Sequence, residues 1–192
     1  QVSSPTGWTA LWMVLAGLLQ AASLAWPVTM PQVLAPLGLA QGETVWWLQW
    51  LAMTGLVFSV STADTPRRAA WLGWWFATAW LTGSFGWLFT SMHSYGGLAA
   101  PLAALAVLAL AGVLAVYSAG AMWLFRTLAL TNKALTAILF AAFWTLAEMA
   151  RGLLLTGFGW GAVGYAQLDG PMAAALPWVG VYGTGALAAG CA

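Results

Sequence analysis

Glu148 and Arg151 stand three residues apart within an otherwise apolar stretch, close enough on one helical face to meet as an ion pair. Pairing explains how both charges survive there. A charge pair inside a membrane also marks a substrate path or a headgroup site. Of the two, Arg151 is the better match for a lipid phosphate, because its planar fork suits phosphate oxygens. Lying within a turn of the helix end, it has snorkelling as a further option. The next stretch, Thr156 to Pro171, places Phe158, Trp160 and Tyr165 among glycines, with Gln167 and Asp169 behind them. Glycine frees the backbone and the rings supply large contact faces, so this segment has the chemistry of a binding loop. Its Gly159-to-Gly164 spacing formally matches G-x-G-x-x-G. That pattern has mechanical meaning only between a strand and a helix, so the match is accidental. Asp169-Gly170-Pro171 reads as a turn into the last helix, with Pro171 in its first turn.

Other reactive residue types are sparse. His93, in Met92-His93-Ser94-Tyr95-Gly96-Gly97, is the single histidine, and an imidazole beside an interface reads first as a hydrogen-bonded anchor. Without a second histidine no metal site is expected. Neither Ser91 nor Ser94 comes with a recognisable acid to complete a triad. Cys191 is the single cysteine; it excludes an intramolecular disulfide, and its Ala/Gly surroundings make it a small apolar residue rather than a nucleophile.

The elements that position these residues follow from composition. Of 192 residues, 62% are hydrophobic and 5% charged, against roughly 25% charged in soluble domains. Four acids, five bases and one histidine cannot cover a 20.2 kDa protein with polar surface, so the solvent is a bilayer. The net charge of +1 gives no reason to expect nucleic acid. The fold expected is all-α, a single polytopic transmembrane helix bundle over residues 1–192. About six spans are expected near Trp8–Ala25, Val45–Thr62, Ala69–Ser91, Leu98–Phe125, Ala134–Leu155 and Met172–Ala192. The segment Pro27–Leu39, with Pro27, Pro31 and Pro36, is too broken for a regular span and reads as interfacial or re-entrant. Many of the fifteen tryptophans are expected at helix ends, with clusters at Trp46, Trp47 and Trp50 and at Trp71, Trp74 and Trp75, and with Trp160 and Trp178 flanking the last loop. Arg67, Arg68, Arg126 and Lys133 fall in loops on one face, read as cytoplasmic. The loops around Glu43, His93–Gly97 and Thr156–Gly170 then lie outside. The final run, Ala188 to Ala192, has neither an aromatic belt nor a charged stop, which reads as a truncation of something larger.

The order of four pieces adds to this reading. Met92-His93-Ser94-Tyr95-Gly96-Gly97, then Glu148-Met149-Ala150-Arg151-Gly152, then Thr156-Gly157-Phe158-Gly159-Trp160 with Gly164-Tyr165-Ala166-Gln167-Leu168-Asp169-Gly170-Pro171, resembles apolipoprotein N-acyltransferase of bacterial envelopes. The likeness runs from about Trp80 onward; the first 70 residues agree only in hydrophobic character. It implies a multi-pass inner-membrane enzyme, its functional face periplasmic. The reaction implied moves an acyl chain from a phospholipid to the N-terminal lipidated cysteine of a diacylglyceryl lipoprotein. In that family a nitrilase-like domain with a Glu-Lys-Cys triad follows the membrane helices. This sequence stops before such a domain, Lys133 sits at a cytoplasmic loop and Cys191 in a helix. No catalytic residue carries over, and the chain alone is expected to be inactive. No cofactor is implied. What carries over is a platform that binds membrane lipid, the phospholipid donor and the lipoprotein acceptor. Phe158, Trp160, Tyr165 and Gln167 would line its portal, Glu148 and Arg151 would brace it, and His93 and Tyr95 would lie beside it. Two other classes remain: a transporter module with Glu148 and Arg151 along its path, against which stand the few intramembrane polar groups and the lack of an inverted repeat, and a non-catalytic membrane assembly subunit.

Overall fold

A computed structural model describes residues 7–31, 37–128, 131–155 and 157–192. Those residues form seven α-helices and no strand: α1 (Gly7–Leu24), α2 (Trp46–Ser61), α3 (Pro66–Ser84), the short α4 (Gly86–Thr90), α5 (Ala100–Leu128), α6 (Lys133–Leu153) and α7 (Leu176–Gly190). The all-helical bundle is thus as the composition requires. Six of these helices coincide with the six stretches expected to span. By length and apolarity, however, only α1, α5 and α6 among the described residues suffice to cross a membrane. With 16 and 15 residues, α2 and α7 reach only ~24 and ~22 Å, and α3 begins with Arg67 and Arg68.

Local chemistry sets the helix starts. Thr65 accepts the Arg68 backbone N–H (3.2 Å) with Pro66 in the first turn of α3, and Asn132 accepts that of Leu135 (3.1 Å) to open α6. The expected third span, Ala69–Ser91, is not continuous. The helix breaks at Phe85, after Ser84 turns its hydroxyl back on the Trp80 carbonyl (2.9 Å). The chain resumes as α4 and a π-helical turn, Ser91–Tyr95. The glycines and serine around Phe85 hold a helix weakly, while the fully buried Phe85 ring packs on Phe158. Hydropathy continues across the break and hides it. The last helix starts later than expected: Pro171 precedes a 3₁₀ turn at Ala173–Ala175, and it is Pro177 that occupies the first turn of α7. The Pro27–Leu39 segment lies partly outside the described residues. Its flanks are pinned together, since Trp26 N–H donates to the Glu43 carbonyl and Gly42 N–H to the Trp26 carbonyl, both at 2.9 Å.

The helices pack through small residues, as expected where lipid removes the hydrophobic drive between them. Helix α1 runs parallel to α3, with Gly17 so close to the Phe76 carbonyl and Ala79 that a Cβ would collide with backbone. The centre is an aromatic column shared by α3, α5 and α6. Trp144 stacks on Trp80 (5.5 Å) and Phe140 (6.0 Å), and Phe125 meets Phe140 edge-on (5.5 Å). Trp80 and Trp144 are fully buried, so the helix-end explanation for tryptophan does not extend to them. The basic residues other than Arg151 gather at one end, where Arg68 pairs with Asp64 (2.6 Å) and Arg126 Nε donates to the Ala63 carbonyl (2.7 Å). The aromatic and glycine-rich segments gather at the opposite end.

Candidate functional site at the aromatic end

The site begins where α6 stops. Past Leu153 the chain reverses within four residues, with Leu155 (φ 51°) and Gly157 (φ 75°) both left-handed. Phe158 N–H returns to the Arg151 carbonyl (2.8 Å). A Cβ on Gly157 would strike the Gly152 carbonyl, so the reversal depends on glycine there.

Arg151 then holds the loop. From the last turn of α6 its Nη1 donates to the carbonyls of Phe158 (2.6 Å) and Trp160 (2.8 Å), while its guanidinium carbon lies 5.5 Å from the centre of the Trp80 ring. Glu148, one turn earlier, accepts the Val163 backbone N–H (3.1 Å). The two charges lie 3.7 Å apart, which is a charge contact rather than a hydrogen bond. On the far side of Val163, Gln49 of α2 donates Nε2 to its carbonyl (2.7 Å), and Gln49 Oε1 accepts from Gln167 (2.5 Å). Glu148 and Arg151 are 3% and 2% exposed, and Gln49 and Gln167 are fully covered. Arg151 therefore points inward rather than snorkelling, and a lipid phosphate reaches it only by displacing loop carbonyls. Gln167 lies beneath the loop, not along an opening.

Above this polar layer is a cleft of about 500 Å³ between the ends of α1 and α3 and the loop. Trp160 and Tyr165 line it, 58% and 49% exposed, opposite Leu24 and Ser84. Phe158 is not in the lining; it packs edge-on against Phe85 (4.9 Å). Trp87 of α4 lies 5.1 Å from Trp160 and ties the π-helical turn to the same end. On that turn His93 Nδ1 is 2.8 Å from the Leu98 carbonyl, the anchoring contact expected of a lone histidine, and Tyr95 is 87% exposed. Neither lines the cleft. Volume and lining suit an apolar ligand with a few polar contacts. Among the described residues no group in the lining has a nucleophile–base geometry, and what the lining offers is contact and orientation.

Three contributors escaped the sequence reading: Gln49, Trp80 and Trp87. A lone amide within Trp46-Trp47-Leu48-Gln49-Trp50-Leu51 was the available signal for Gln49, since a polar group at that depth needs a partner. Lys133 opens α6, fifteen residues and ~22 Å below Glu148, and Cys191 follows the end of α7, beyond Gly190, which faces Ala141. These three groups do not converge.

Comparison with known proteins supports the resemblance and corrects its extent, since the match takes in most of the first 70 residues and is not confined to the part from about Trp80 onward. The family described as "Apolipoprotein N-acyltransferase N-terminal domain" matches residues 16–192. The apolipoprotein N-acyltransferase of Verminephrobacter eiseniae is 52% identical over 186 residues, 95% of this chain and 32% of that protein. That of Ralstonia nicotianae is 44% identical over 75% of this chain and 28% of its own length, and that of Pseudomonas putida 39% identical over 72% and 28%. The chain thus spans about a third of the length of the relatives it matches. With the match extending through the aromatic loop, the chain belongs to the apolipoprotein N-acyltransferase family, where it corresponds to the N-terminal domain.

Proposed function

We propose that this chain is the membrane platform of an acyltransferase that moves an acyl chain from a phospholipid to the N-terminal lipidated cysteine of a diacylglyceryl lipoprotein. The platform would sit in a bacterial inner membrane, with α2, α3 and α7 crossing beside α1, α5 and α6 and the aromatic end facing the periplasm. The observation that carries the reading is the cleft lined by Trp160 and Tyr165, clamped from below by Arg151 at the end away from the other basic residues. Holding two lipidated substrates at one depth supplies proximity to a reaction centre elsewhere in the enzyme. His93 and Tyr95 would border the approach, Phe158 would set the loop against Phe85, and Glu148, Arg151 and Gln167 would keep it in place. Because Glu148, Lys133 and Cys191 do not converge, the 192 residues alone are proposed to be inactive, which an acyl-transfer assay on the isolated chain checks.

In a full-length enzyme carrying this domain, Trp160→Ala and Tyr165→Ala are expected to slow acyl transfer about tenfold while melting behaviour stays unchanged, since misplaced substrates cost rate rather than fold. Unchanged turnover in both variants would reduce the loop to a structural closure. The orientation has its own check. Cysteines placed at positions 67 and 93 should differ, with 93 labelled by an impermeant reagent from outside and 67 protected; the reverse pattern would invert the topology.

A further inference from the structure

A second concavity lies away from the cleft, on the lipid-facing side of α1 and α2. It has a volume of about 830 Å³ and an almost wholly apolar lining that includes Trp12, Leu19, Trp47, Leu51, Gly55 and Phe58. From Trp47 to Phe58 it extends along eleven residues of α2, or ~16 Å. That is about half of a ~30 Å hydrocarbon core, the depth reached by an acyl chain of one leaflet. Trp12, Leu51 and Phe58 on its rim are exposed, so the groove is open where lipid chains are.

The upper end of the groove is not apolar. Trp47 also lines an adjoining cleft of about 440 Å³ with Trp46, Thr44, Val45 and the exposed Asp169. The Asp169 carboxylate accepts from the Thr44 hydroxyl (2.9 Å) and, among the described residues, has no cationic partner. Glu43 adjoins Thr44 in sequence. The four bases other than Arg151 sit at the opposite end or the loops leading to it, and Arg151 is enclosed beside Glu148. A carboxylate that shares a cleft with Trp46 and Trp47, at the end of the protein where no Lys or Arg is exposed among the described residues, suits an ammonium group.

The geometry points to a standing lipid site in which a zwitterionic membrane lipid lays one acyl chain in the α1–α2 groove and sets its headgroup ammonium between Trp46, Trp47 and Asp169. This site is separate from the cleft at Trp160 and Tyr165, and it requires membrane insertion but not acyl transfer. The complementarity is one of length along the groove and of charge at its mouth. Anionic lipids of the same chain length fit the groove but meet Asp169 with the wrong sign.

The test uses the 192-residue chain purified in mild detergent and incubated with either phosphatidylethanolamine or phosphatidylglycerol of identical chains, with bound lipid counted by native mass spectrometry. One retained phosphatidylethanolamine is expected, with several-fold less phosphatidylglycerol. Asp169→Asn keeps the acceptor for Thr44 and removes the charge, and should cut phosphatidylethanolamine retention about fivefold. Gly55→Leu fills the groove, where a Cβ meets only the Trp12 ring at ordinary contact distance (3.5 Å), and should remove the lipid of either kind. Equal retention of the two lipids, or retention indifferent to both substitutions, overturns the proposal. A dimer of the chain that Gly55→Leu dissociates also overturns it, by giving the groove to a second copy. Failure here leaves the acyl-transfer reading standing, because turnover of Trp160 and Tyr165 variants is not involved.

Discussion

Arg151→Ala is expected to destabilise the folded protein by roughly 3–5 kcal/mol, the cost of leaving a buried charge without its partner. Three losses coincide in this one change. The carbonyls of Phe158 and Trp160 lose their shared donor, Glu148 is left enclosed with its opposite charge removed, and Trp80 loses the guanidinium above its ring. Glu148→Gln should be milder, because the amide oxygen still accepts from the Val163 N–H. The double change Arg151→Met with Glu148→Gln should recover part of the loss, since it removes the uncompensated charge. Thermal unfolding in detergent of the four proteins checks the order. Arg151→Ala melting with the parent protein would show that the clamp contributes nothing.

Gly164→Val is expected to give no correctly folded protein. Gly164 lies in the 3₁₀ turn Val163–Gln167, pressed against α7 so closely that a Cβ would collide with the Val181 carbonyl. Backbone cannot rotate aside as a side chain can, so the loop and α7 would have to separate. Even Gly164→Ala should cost about 1–3 kcal/mol, the range for overpacking. Gly159→Val is a useful contrast. A Cβ there meets the Tyr182 hydroxyl at 3.2 Å, the mobile end of a side chain, so a smaller loss is expected. Yield of monodisperse protein and its melting temperature distinguish these outcomes. A Gly164→Val protein that melts like the parent would mean that the loop does not seat on α7.

Much of this organisation is legible in the residues themselves. Long apolar runs punctuated by Thr65-Pro66 and Asn132 mark helices, and the spacing of Glu148 and Arg151 marks a shared face. The direction in which Arg151 points is not legible, because it depends on two carbonyls seven and nine residues away that come close only when the loop reverses. Gln49 is hidden for a similar reason, its partners lying 114 and 118 residues along the chain. The family resemblance implies Gln167 beside Phe158, Trp160 and Tyr165 at a portal. The 3₁₀ turn divides them, sending Tyr165 outward and Gln167 down to Gln49. The break at Phe85 is silent to hydropathy, since small residues weaken the helix there without lowering its apolarity, and the Phe158 ring that meets Phe85 comes from a distant loop.

On the proposed function, the cleft at Trp160 and Tyr165 receives the lipidated substrates of acyl transfer. A photo-crosslinking side chain at position 160 or 165 of a full-length enzyme carrying this domain tests it directly. Position 138, on the lipid-exposed face of α6, serves as the control. With a diacylglyceryl lipopeptide in membranes, positions 160 and 165 are expected to capture the lipopeptide, an excess of unlabelled lipopeptide should abolish the capture, and position 138 should yield bulk phospholipid alone. Capture of lipopeptide at 138 equal to that at 160 and 165, or none at either cleft position, would rule out that role for the cleft.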